Sequence, residues 1–146
     1  MPQAAEILIV EDNADDLELT LRAFRKHHLA DRVAVVRDGA EALEYLFGTG
    51  PYTSRSHEAR PRVILLDLNL PGLNGLEVLR RIRIDERTKH IPVVVLSSSS
   101  DVRDLGDCYR NGTNSYVVKP VESSEFEAAV ARLGAYWLEL NQTPSS

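Results

Sequence analysis

Five short apolar runs punctuate the chain: Ile7-Leu8-Ile9-Val10, Val33-Ala34-Val35-Val36, Val63-Ile64-Leu65-Leu66, Val93-Val94-Val95-Leu96 and Tyr116-Val117-Val118. They are rich in β-branched residues and continuous rather than alternating, the pattern of strands covered on both faces. Between them apolar residues recur at helical spacing: Leu17, Leu21 and Phe24; Ala42, Leu43 and Leu46; Leu76, Leu79 and Ile82; Val102, Leu105 and Tyr109; and Phe126, Val130, Leu133 and Trp137. Asp38 with Glu41 three residues on reads as a capping box, and Gly112 sits where a helix C′ glycine belongs. Strands alternating with crossover helices predict an α/β fold, a doubly wound parallel sheet with helices on both faces. Residues 48–62, with their Gly, Pro and Ser, read as an exposed, mobile loop, more simply a tolerated insertion than a functional lid. The polar stretch from about Asn141 is expected to fray.

A length of 146 residues allows one domain at about 100–200 residues each, here 1–146 with a core of about 6–140. The net charge of −5 is the wrong sign for neutralising phosphates, so direct nucleic-acid binding is not expected. The single cysteine, Cys108, cannot form an intramolecular disulfide, and the first residues lack the pattern of a signal peptide, so a reducing cytoplasm is expected. The apolar runs are too short to span a membrane.

The residues at the ends of the apolar runs carry the chemistry. Glu11-Asp12 succeed the first run, Asp67 the third, Ser97 the fourth and Lys119-Pro120 the fifth. In a parallel sheet these side chains gather at the carboxyl edge, where ligands of such folds bind. Three carboxylates brought together repel one another unless a cation intervenes. The all-oxygen donor set favours a hard ion, and few protein ligands favour Mg²⁺ over Ca²⁺. Asp67 is then placed as a carboxylate nucleophile toward a phosphoryl group, with Ser97 donating to a phosphoryl oxygen and Lys119 neutralising charge. Asp15 and Asp16 read as acids of a helix first turn rather than metal ligands. Val10-Glu11-Asp12-Asn13 contains no glycine, so no phosphate-cradling loop succeeds the first strand and nucleotide cofactors are not expected. The histidines His27, His28, His57 and His90 read as surface residues, and Cys108 as a small core residue. No histidine is placed to activate a serine of the Ser97–Ser100 run for hydrolysis.

These motifs, Ile-Leu-Ile-Val-Glu11-Asp12-Asn13, Leu-Leu-Asp67-Leu-Asn69-Leu-Pro71-Gly72, Val-Val-Leu-Ser97-Ser98 and Tyr116-Val-Val-Lys119-Pro120, resemble those of two-component response regulator receiver domains over about Glu6 to Leu140. The resemblance implies a flavodoxin-like sheet of order 2-1-3-4-5. It further implies Asp67 as acceptor from the phosphohistidine of a histidine kinase, and Mg²⁺ held by Asp12, Asp67 and the Asn69 carbonyl, with Glu11 acting through a bound water. Ser97 and Lys119 would be phosphoryl ligands. Ser97 and Tyr116 would be switch residues, Tyr116 turning in from solvent, while Asn69 and Ser99 tune dephosphorylation. A cis Lys119–Pro120 bond is expected. The long loop before Arg62, the Leu-Asp67-Leu-Asn69-Leu-Pro71 wording and the Tyr136-Trp137-Leu138-Glu139-Leu140 end are similar to single-domain regulators paired with phytochromes, implying a bacteriophytochrome-type kinase partner. Tyr136, Leu138 and Leu140 lie outside the stripe of the last helix, and this predicts a homodimer through the C-terminal helix face. The rival readings are an aspartate-dependent phosphatase, a phosphate sink for a kinase and a degenerate receiver acting only as a binding module. The first would typically place a second acid where Asn69 stands, and the intact acidic, serine and lysine set argues against the last.

Overall fold

The computed structural model describes residues 5–53 and 60–142. Five parallel strands, β1 (Ile7–Val10), β2 (Val33–Val36), β3 (Val63–Leu66), β4 (Val93–Ser97) and β5 (Ser115–Val118), form one sheet of order β2-β1-β3-β4-β5. Five α-helices connect or succeed them: α1 (Ala14–Lys26), α2 (Gly39–Phe47), α3 (Gly75–Ile84), α4 (Val102–Arg110) and α5 (Ser123–Ala135). This is the doubly wound, flavodoxin-like arrangement that the alternating pattern and the resemblance called for.

Because successive strand residues point to opposite faces, each central strand feeds two cores. Leu8, Val10, Ile64, Leu66, Val93 and Val95 pack toward α2 and α3 with Cys108 of α4. Ile7, Ile9, Val63, Leu65, Val94 and Leu96 pack toward Phe24 of α1 and Phe126 and Val130 of α5. The edge strands β2 and β5 are covered less completely.

Local signals set the helix ends. The side chains of Asn13, Asp38 and Asn74 cap α1, α2 and α3 by accepting from the backbone N–H three residues on. Only half of the expected capping box forms: Asp38 accepts from Glu41 N–H at 2.7 Å, but Glu41 turns to Arg37 N–H and the Tyr52 hydroxyl. Gly112, past the end of α4, adopts φ of 93°, a conformation costly for any side chain but expected of a C′ glycine. Arg83, near the end of α3, donates to the carbonyls of Gly112, Lys89 and Ile91 and to Asn114 Oδ1, tying the approaches to β4 and β5 to that helix.

Three expectations change. The 48–62 segment is anchored at its start: Gly50–Tyr52 forms a 3-10 turn, Tyr52 donates to Glu41 at 2.7 Å and its ring meets Tyr45 edge-on at 5.1 Å. Residues 54–59 of that segment lie outside the described residues. The Val102, Leu105 and Tyr109 stripe of α4 is not its core face; Cys108 is fully buried while Val102 and Tyr109 are 85% and 51% exposed. A stripe at helical spacing identifies a coherent face, but near the sheet edge there is too little surface to cover it. Finally, Leu138 is buried beside Trp137, because the chain widens into a π-turn over Tyr136–Leu140 and carries Leu138 inward. Tyr136 and Leu140 remain exposed as expected.

Candidate functional site

The register of the sheet builds the site. β1 and β3 pair Val10 with Leu66, so Glu11 and Asp67 emerge side by side, and Asp67 N–H extends the ladder to the Val10 carbonyl at 3.1 Å. On the other flank β4 and β5 pair Ser97 with Val118, and Lys119 N–H donates to the Ser97 carbonyl at 2.7 Å. Carboxylates from the centre and a cation from the edge therefore meet at one rim, the carboxyl edge.

Carboxylate oxygens of Glu11, Asp12 and Asp67 lie within 4.8 Å of one another. Glu11 and Asp67 are buried and Asp12 is exposed. Burial, reinforced by the approach of Asp67, pushes the Glu11 carboxyl well above the ordinary carboxylate range, although Lys119 works in the opposite direction. The Lys119 ammonium is 2.8 Å from Glu11 Oε1 and 3.6 Å from Asp67 Oδ2. Burial disfavours its charge, but the bonds from Asp16 and Glu11 outweigh this and hold the ammonium above its ordinary range. One ammonium cannot neutralise so many acids. An all-oxygen trio with an exposed member fits a hard divalent cation that keeps part of its water.

The rest of the expected set surrounds Asp67. Asn69 N–H donates to Asp67 Oδ1 at 3.2 Å, which fixes one carboxylate oxygen. The buried Ser97 hydroxyl accepts from Ser99 N–H at 3.1 Å. Ser99 in turn donates through its hydroxyl to Asp104 at 2.6 Å, and its carbonyl accepts from the Tyr116 hydroxyl at 2.8 Å. Ser97 and Tyr116 are thus joined through Ser99. A cavity of about 240 Å³ opens beside them between the β3–α3 and β4–α4 loops, lined by Asn69, Asn74, Ser97, Ser99, Asp104 and Cys108 among others.

Two expectations are corrected. Tyr116 does not stand in solvent; it is half-buried against the α2 and α3 side of the core and tied to Ser99, because its hydroxyl finds the Ser99 carbonyl within reach of β5. The Lys119–Pro120 bond is trans, since no cis peptide occurs among the described residues. Trans is the intrinsically favoured isomer by about 0.5–1 kcal/mol, and from it the Lys119 side chain already reaches its acidic partners.

One site residue escaped the sequence reading in its role. Asp16, taken as a first-turn acid, places Oδ2 2.8 Å from Lys119 Nζ across 103 residues of chain. No local signal separates such an acid from one that serves only the helix dipole.

Comparison with known proteins agrees with this geometry. The family model of the response regulator receiver domain matches residues 7–131. The fold superposes on the phosphorylated cyanobacterial phytochrome response regulator RcpA with a TM-score of 0.88 and 40% identity, covering 95% of this chain and 97% of that one. Response regulator Rcp1 of Synechocystis is 34% identical over 96% of this chain and 93% of its own, and its Mn²⁺-bound crystal structure superposes with a TM-score of 0.86. The "Probable methanogenesis regulatory protein FilR2" of Methanothrix harundinacea is 41% identical over 94% of this chain and 86% of its own.

Proposed function

The chain belongs to the response regulator receiver domain family of two-component systems, and from that premise we propose that Asp67 is its phosphoacceptor, taking a phosphoryl group from a histidine kinase. The observation that carries the reading is a buried Asp67 flanked by Lys119 at 3.6 Å and by Glu11 and Asp12 within 4.8 Å. An Asp67 oxygen attacks phosphorus as the phosphorus–nitrogen bond of phosphohistidine breaks, and the electron pair leaves on the imidazole nitrogen, which takes up a proton. Asp12, Asp67 and Asn69, with Glu11 beside them, would hold a Mg²⁺ ion, which would supply charge neutralisation for the transferred group.

Lys119 and Ser97 then serve as phosphoryl ligands. For Ser97 this means turning its hydroxyl from the Ser99 N–H toward a new acceptor. The Ser97, Ser99 and Tyr116 chain is the route by which that turn reaches the α4 and β5 surface. Asn69, which donates to Asp67, and Ser99, which donates to Ser97, tune dephosphorylation by controlling the attacking water.

The likeness to RcpA supports a phytochrome-type kinase as the upstream partner. A cytoplasmic location is part of the same proposal. No described helix is long and apolar enough to cross a membrane. Phosphotransfer profiling is the test: labelled phosphoryl groups should pass within seconds from an autophosphorylated phytochrome kinase and slowly from unrelated kinases. Equal transfer from all of them removes the phytochrome link. Turnover of phosphomonoesters without a kinase would favour a phosphatase, although the position where such an enzyme typically carries its second acid is Asn69, which offers Asp67 a backbone N–H.

The partner set includes a second copy of this chain, meeting through the C-terminal helix face. Tyr136 and Leu140 are exposed at 46% and 71%, and Tyr136 borders a groove formed with Val117, Ala129, Leu133 and Trp137. Exposed apolar groups grouped this way mark partner surfaces more often than scattered ones do. Sedimentation at tens of micromolar should give a dimer for the wild type and a monomer for Tyr136→Glu, which leaves the buried Trp137 and Leu138 in place. A wild type that remains monomeric, phosphorylated or not, excludes the dimer.

A further inference from the structure

Asp16 occupies the third position of α1, three residues after its cap Asn13. An acid there ordinarily reaches back to the backbone N–H of the cap residue. In this site that N–H points instead to Glu11 Oε2, at 3.4 Å, and the Asp16 carboxylate turns across the rim to Lys119. The ammonium has three N–H donors. Two are engaged at 2.8 Å, by Glu11 and Asp16, and its distance to Asp67 is 3.6 Å, outside hydrogen-bond range. The cation is therefore drawn toward α1 and away from the acceptor. Lys119 is only 8% exposed, so water does little to screen this arrangement, while Asp16 is 29% exposed and able to take up water when released.

We propose that Asp16 is a positioning residue that competes with the phosphoryl group for Lys119, holding the ammonium off Asp67 until a phosphoryl group on the acceptor displaces it. The inference rests on the reading of Asp67 as acceptor. Charge alone has two consequences. Removing the Asp16 charge frees Lys119 and takes one anion away from an incoming anionic group, so binding of a phosphoryl mimic tightens. In the wild type, occupation of the acceptor pulls Lys119 away, and the Asp16 carboxylate loses its partner.

Both are measurable with beryllofluoride in the presence of Mg²⁺. Asp16→Asn, which keeps the shape of the side chain, should bind it about two- to fivefold more tightly than wild type, the range of one part-exposed ion pair. Asp15→Asn removes the same charge from the same helix turn but from an exposed side chain that forms no ion pair with Lys119, and should leave the affinity unchanged. In wild-type protein the ¹³C resonance of the Asp16 carboxylate should shift on addition of beryllofluoride, a response that a purely structural acid would not give. Unchanged or weaker binding by Asp16→Asn, equal tightening by Asp15→Asn, or a stationary Asp16 resonance overturns the proposal while leaving Asp67 as acceptor intact. Wild type that does not bind beryllofluoride, or that binds it no better than Asp67→Asn does, overturns the acceptor reading and this inference with it.

Discussion

Replacing Asp67 with asparagine is expected to reduce phosphoryl labelling from phosphohistidine or acetyl phosphate to background. The amide matches the carboxylate in size, and its oxygen can still accept from Asn69 N–H, which in the wild type donates to Asp67 Oδ1 at 3.2 Å. Folding is therefore preserved and the loss is chemical: a neutral amide is a poor nucleophile and forms no acyl phosphate. The variant also removes one of the carboxylates whose oxygens lie within 4.8 Å, so Mg²⁺ affinity should fall in parallel. Intact-mass spectrometry after exposure to acetyl phosphate reads the outcome directly. A variant that gains a phosphoryl group as the wild type does would move the acceptor elsewhere.

Gly75→Ala is expected to be the most damaging single methyl near the site. Gly75 opens α3, and its N–H closes the loop after β3 on the Leu68 carbonyl at 3.0 Å. A Cβ there would press on the Asp67 carbonyl oxygen and come within 2.7 Å of Leu68 Cα. Both are backbone, so no side chain can swing aside. The loop that carries Asp67 must move, at a cost of about 1–3 kcal/mol for such overpacking. In a domain of this size each kcal/mol lowers Tm by about 2–4 °C. Misplacing the acceptor by even a fraction of an ångström should slow phosphorylation by roughly tenfold or more, since about 1 Å of misplacement can cost 10²-fold. Gly72→Ala is the comparison. Its φ of 69° makes alanine strained, yet nothing lies within 4 Å of the added carbon, so stability should fall without a matching loss of rate. Scanning calorimetry together with acetyl phosphate kinetics separates the two effects. Equal rates for Gly75→Ala and wild type would show that the loop accommodates the methyl.

Much of the site was legible before the fold was known. Glu11, Asp12, Asp67, Ser97 and Lys119 each stand at or directly after an apolar run, and parallel strands bring such positions to one rim whatever the details of packing. The contacts made by Asn69 and Ser99 were less accessible, since they run through backbone groups and a short hydroxyl whose directions depend on loop conformation.

Element order, the layered α/β class and the composition of the rim follow from the sequence alone, because hydrophobic period and strand-end position are local properties that every residue reports relative to its neighbours. The sequence could not determine which coherent face gets covered. Val102 and Tyr109 have the spacing of a core stripe and are exposed at the sheet edge, whereas Leu138 lies off the stripe and is buried by a π-turn. Nor could it determine partners across the chain. Asp16 meets Lys119 over 103 residues and Tyr116 meets Ser99 over 17, and such pairings exist only once the sheet register has set the distances.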